Sequence, residues 1–216
     1  MLRCGLSLLL WLGSGAAFAH AQVGAPSEER SGAPAASTHD GSWLRLSELR
    51  LLQRDARRRE GLTLFVWGAL NSVGGAIAAG VKHDDRAWLA GSVTSLGFGL
   101  INALLALPLL DLSGARRAAI LRDRARGGAG FEALRDKEAA AQLKSGQVFA
   151  LNAGLDVFYL ATGAFLLALA QRGTRHADWE RGVGAAFLGQ GAFLLGFDIA
   201  CWIGSNRRAE ALRGLR

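Results

Sequence analysis

Four stretches of the chain, 62–81, 88–110, 148–170 and 183–203, are almost unbroken runs of apolar side chains. At about 1.5 Å of rise per residue, each helix is long enough to cross the roughly 30 Å of hydrocarbon in a bilayer. None of the four contains Lys, Arg or His, and only the third and fourth contain an acidic residue. Short polar connections join the first run to the second and the third to the fourth, so each pair is expected to form an antiparallel hairpin. The predicted fold is all-α: a membrane four-helix bundle made from two tandem helical hairpins, with a membrane domain over 61–204.

The polar stretches around the spans predict the remaining elements. Residues 1–21 carry Arg3, an apolar run from Leu6 to Phe18 and the small-residue pattern Ala19-His20-Ala21, which reads as a signal peptide. Residues 22–41 hold almost no large apolar side chain and are expected to be a disordered linker. Ser42 can then cap an amphipathic helix over 42–60, read as an interfacial helix that runs into the first span. The charged segment 111–147 is helical in composition on either side of the breaker Gly127-Gly128-Ala129-Gly130. Residues 205–216 are expected to be a basic tail.

The second hairpin resembles the first. LGQG at 188–191 answers LGFG at 96–99, SNRRA at 205–209 answers SGARRA at 113–118, and AGLD at 153–156 answers GALN at 68–71. Both halves would enter the membrane in the same sense, which describes a parallel duplication. Chance similarity among Gly/Ala/Leu-rich segments is the alternative.

Each span carries a polar side chain that hydrocarbon would penalise by several kcal/mol if it stayed unpaired: Asn71, Asn102, Asp156 and Asp198. Counted from the face that carries both termini, the first three lie about 12–14 Å deep and Asp198 about 7–8 Å deep. Asn152, Asp156 and Tyr159 share one face of the third span, and Gln190 lies near the face of Asp198. These seven residues are expected to form one intramembrane polar layer. Two readings of it stand: a device that pins helix register, or a carboxyl pair that binds a cation or passes a proton.

Charge alters the picture little. The formal net charge of +7 is carried mostly by arginines that flank the spans, where anionic lipid head groups are the expected partner. Nucleic acid is not expected, because no water-facing domain carries that charge. The charge distribution also conflicts with the signal peptide. A cleaved signal places the mature N-terminus, the middle segment and the C-terminus outside, yet that face holds 19 Lys/Arg against five in the two short loops.

No cofactor, metal or catalytic residue is expected. His20, His39, His83 and His176 all lie outside the spans, which leaves haem without axial ligands, and His83 with Asp84 and Asp85 lacks ligand spacing for zinc. No phosphate-binding glycine motif follows a strand, and no base faces Ser72, Ser95 or Cys201, so the chain is not expected to be an enzyme. Cys201 reads as a packing residue. Small-residue faces such as Gly68, Ser72 and Ala76, or Gly91, Ser95 and Gly99, suit close helix contact within the bundle, with a membrane partner or in a homodimer.

The stretches WGALN (67–71), GFGLIN (97–102), LNAGLD (151–156) and QGAFLLGFD (190–198) resemble those of an uncharacterised family of small bacterial four-span membrane proteins, a domain of unknown function. The resemblance implies the same fold over roughly 45–204 and supports the choice of Asn71, Asn102, Asn152, Asp156, Gln190 and Asp198. It implies no activity. The sequence therefore leads to a multi-pass protein of the bacterial inner membrane: a structural or interaction component of the envelope, or a conduit for protons or small cations.

Overall fold

The computed structural model describes residues 38–126 and 130–215, and these fold as one all-helical unit without a strand. Helix α1 spans Thr38–Val81, α2 Arg86–Ala106 with a 3-10 turn over Leu107–Leu109, α3 Ala115–Arg126, α4 Phe131–Gln171 and α5 Ala177–Arg213. The signal peptide and most of the linker, 1–37, lie outside the described residues, as do 127–129 of the glycine breaker. Gly130 survives as the cap of α4, in the left-handed conformation at φ 102° that favours glycine.

Four of these helices are long and apolar enough to cross a membrane, with mean hydropathy of 1.5–1.8 over their most apolar windows. Their outward faces are greasy. Leu104, Leu151, Phe158 and Phe165 are 62–69% exposed, while the buried positions of the same spans include Asn102, Asp156, Gln190 and Asp198. A chain in water would reverse this arrangement, so the bundle is that of a multi-pass membrane protein.

The helices run well past the spans on one side. The amphipathic stretch 42–60 continues into the first span, and the two form one helix of 44 residues, about 66 Å long. No proline or turn interrupts it, and Ser42 sits inside the helix and not at its start. Its buried face meets protein, with Leu46 packed on Ala139 of α4 and Leu212 of α5 and flanked by Trp43 and Phe131. The basic tail is likewise helix as far as Arg213, with Ser205, Ala209 and Leu212 fully buried.

Ion pairs hold this outer layer together. Arg50 bonds Asp123 of α3 and Glu138 of α4, both at 2.9 Å, and Arg208 of α5 bonds Glu60 of α1 at 2.9 Å. Arg54 donates to Asp111 at 3.0 Å in the bend between α2 and α3. Asp111 holds a left-handed φ of 46°, a conformation that costs a non-glycine residue on the order of 1 kcal/mol. Burial alone would raise its pKa, but the bond from Arg54 and the backbone N–H of Arg116 outweigh burial and hold it below the usual carboxylate range.

Within the membrane half, close helix contact depends on missing side chains. A Cβ on Gly68 would lie 2.6 Å from the Gly99 carbonyl oxygen, and one on Gly163 would lie 2.8 Å from that of Gly184. These contacts fasten α1 to α2 and α4 to α5, and Gly91 against Gly182 joins the two hairpins. Helices α2 and α4 stay apart and leave an opening between them, because no Cα of α2 comes within 8 Å of a Cα of α4.

Candidate functional site

The opening between α2 and α4 is a cleft of about 530 Å³. Its walls are apolar, with Phe98, Ile101 and Leu105 from α2 facing Val148, Phe149 and Leu155 from α4. Polar groups gather at its inner surface: Asn102, Asn152, Asp156, Tyr159 and Asp198 all line it. Lys144 and Ser145 line its other end, three turns of α4 or about 18 Å from Asp156. The cleft therefore runs from the face that carries the outer helical layer to the carboxyls between the spans.

Asp156 and Asp198 are 3% and 5% exposed, and their side chains lie within hydrogen-bonding reach of each other. The Oδ2 atom of Asp156 and the Nδ2 group of Asn102 are buried without a partner among the described residues. Two ionised carboxylates in contact, away from bulk water, repel strongly, so the pair calls for a shared proton or a cation between them. The aromatic edge of the site is fixed by Tyr159, which packs edge-on against Phe98 and Phe187 at centroid distances of 5.4 and 5.7 Å.

The remaining polar residues stand apart, so the single layer expected from depth is two clusters. Trp67 Nε1 donates to Gln190 Oε1 at 2.9 Å, Gln190 Nε2 donates to Asn71 Oδ1 at 2.6 Å, and Asn71 Nδ2 donates to the Trp67 carbonyl at 2.8 Å. The three form a closed latch between α1 and α5, with Trp67 stacked on Phe193 at 3.9 Å. Depth along a helix is readable from residue number, but which helices are neighbours is not. Here α1 meets α5 at Gln190, while α4 meets α5 at Asp198.

Sequence reasoning passed over Trp67, although Trp67 and Asn71 stand at i and i+4, where a helix places both on one face. It also passed over Lys144, which sits in a charged stretch with nothing to set it apart. On the side of the short loops a second cleft of about 440 Å³ is lined by Asn71, Ser92 and Ser95. Asp85, one of the loop acids near His83, accepts from the Trp88 backbone N–H at 3.0 Å and caps α2.

With the site in place, comparison with known proteins adds a family. Residues 63–199 match the family of unknown function DUF6992. The chain belongs to that family. The DUF6992 match opens at the start of the first span and closes just beyond Asp198, so it contains all seven polar residues and Trp67. No curated protein and no solved structure matches the chain.

Proposed function

We propose that the bundle is a conduit or coupling element for protons or small cations in the bacterial inner membrane, with Asp156 and Asp198 as the exchanging pair. The observation that carries this reading is the position of the pair: two carboxyls in mutual reach, on the wall of a cleft that leads to one membrane face, with an unpartnered oxygen on Asp156. A purely structural polar group is normally satisfied by its neighbours, since an orphan weakens the fold it is meant to hold. An unpartnered carboxyl oxygen and an unpartnered amide at one cleft instead suit a ligand that comes and goes.

The chemistry required is modest. A proton or cation entering past Lys144 and Ser145 would reach Asn152 and then the pair, where it replaces the repulsion between the carboxyls with attraction. Asn71, Ser92 and Ser95 line the second cleft toward the opposite face, and the Trp67, Gln190 and Asn71 latch lies beside them. Opening that latch would extend the polar route across the bundle.

A second reading, a structural or interaction component of the envelope, is favoured by the latch itself, whose hydrogen bonds form a closed ring and pin α1 to α5. Flux in liposomes separates the two. The double substitution Asp156→Asn with Asp198→Asn keeps the size and hydrogen-bonding ability of both groups, so the bundle should still fold. Under the proposed reading it loses proton or sodium flux that the parent supports. Equal flux from parent and variant would refute the role of the pair.

A further inference from the structure

The outer helical layer contains a pocket of about 250 Å³ in which donors outnumber acceptors. Helix α1 presents Arg50, Gln53, Arg54 and Arg57 to it, and α3 adds Arg116. The carboxylates around this pocket are already engaged: Asp123 and Glu138 by Arg50, Asp111 by Arg54, and Glu60 by Arg208. Arg57 is left over. It is partly buried and forms no hydrogen bond or ion pair among the described residues; burial and the charges of Arg116 and Arg208 act against its own, while Glu60 and Glu138, each bonded to another arginine, act in its favour. The exposed guanidinium of Arg116 donates, among the described residues, only to the Pro108 carbonyl, at 3.3 Å.

Gln53 supplies an independent observation. It is 5% exposed, and its Oε1 accepts from Gln142 Nε2 at 3.3 Å, which turns its own amide N–H group toward no acceptor. A buried amide donor without a partner and the half-buried guanidinium of Arg57, bonded to no carboxylate, share one small cavity with the exposed guanidinium of Arg116. The buried amide and the half-buried Arg57 cost free energy when empty, and one oxyanion would relieve both while Arg116 reaches it from the solvent side. The cavity also lies at the right level. Arg57 precedes the first span by five residues, about 7–8 Å along the helix, which is the depth of lipid phosphate groups.

We propose that this pocket binds a phosphate-bearing anion, held by the guanidinia of Arg57 and Arg116 and by the side-chain amide of Gln53. Its neighbours Arg50 and Arg54 are tied to carboxylates and shape the wall. The phosphate group can come from an anionic lipid at the bilayer surface or from a free phosphate in solution. Recognition in both cases is by planar guanidinium forks, which favour phosphate oxygens over a point charge of the same sign.

The test uses the full chain in phosphatidylcholine nanodiscs, with thermal unfolding and native mass spectrometry as readouts. Inorganic phosphate is added in one arm, and phosphatidic acid is included in the disc in the other. The parent is expected to gain thermal stability in at least one arm, and Arg57→Gln with Arg116→Gln should bind roughly tenfold or more weakly. A response to inorganic phosphate identifies a soluble ligand class, and a response to phosphatidic acid alone identifies a lipid headgroup. Neither guanidinium is bonded to a carboxylate, so the ligand-free variant should melt close to the parent, and a folding defect does not mimic the result. The single variant Gln53→Leu, which keeps both arginines, should bind more weakly as well. Equal responses of parent and double variant in both arms, or no response from either, would overturn the proposal.

Discussion

Replacing Gln190 with leucine should separate α1 from α5 without disturbing the carboxyl pair. Gln190 is 2% exposed, and leucine fills nearly the same space, so the change removes hydrogen bonds more than volume. Two bonds go, one from Trp67 at 2.9 Å and one to Asn71 at 2.6 Å, and the Trp67 N–H and Asn71 Oδ1 lose their partner on α5. Side-chain hydrogen bonds between membrane helices are worth about 0.6 kcal/mol on average and up to about 1.7. The pair together should therefore contribute roughly 1–3 kcal/mol. Reversible unfolding in mixed detergent, followed by helical circular dichroism, measures the loss, and indole fluorescence reports the Trp67 environment locally. Because Asn71→Leu breaks the same latch, the double variant should lose less than the sum of the two single variants. A loss below about 0.5 kcal/mol, or simple additivity of the two changes, would refute the latch.

Two further outcomes follow from the packing and the outer layer. Gly68→Ala should destabilise the bundle by about 1–3 kcal/mol, because its new methyl would meet backbone atoms of α2 at 2.6 Å. Gly74→Ala, where a Cβ meets nothing within 4 Å, should be neutral or gain up to about 1 kcal/mol in the same unfolding assay. The Asp111 carboxyl, held below its ordinary value of 3.8, contributes stability that is present above that pH and fades as pH falls through its lowered pKa. Melting of the parent should therefore fall more steeply below pH 3.8 than melting of Asp111→Asn, and parallel curves would contradict the Arg54 pairing.

The spans were legible in the sequence because a helix that faces lipid must be apolar over its full crossing length, and no side-chain partner is needed to read that. The intramembrane polar residues were legible for the opposite reason, since Asn102, Asp156, Gln190 and Asp198 break runs that otherwise contain nothing to pair with. How they divide was not. The split into a latch and a cleft depends on which helices touch, and that is decided by contacts such as Gly68 with Gly99 and Gly91 with Gly182, which look alike in sequence. The outer layer was hidden by its composition. Leu46, Ala139 and Leu212 form a small core spread over three charged segments, which alone read as an interfacial helix, a charged connecting helix and a tail. The surplus charge of Arg57 was equally invisible, because it emerges only after Arg50, Arg54 and Arg208 have taken the available carboxylates.

Site-directed spin labelling in lipid bilayers tests the central arrangement most directly. In a background without Cys4 and Cys201, labels are placed one at a time at Leu104, Leu151 and Phe158 on the outer faces and at Asn152 in the cleft. Collisions with oxygen, which dissolves in acyl chains, should dominate at the three outer positions. A water-soluble nickel complex should reach Asn152 in preference to them. If the nickel complex reached Leu104, Leu151 and Phe158 as readily as Asn152, the spans would not be in lipid and the cleft would not be their polar interior.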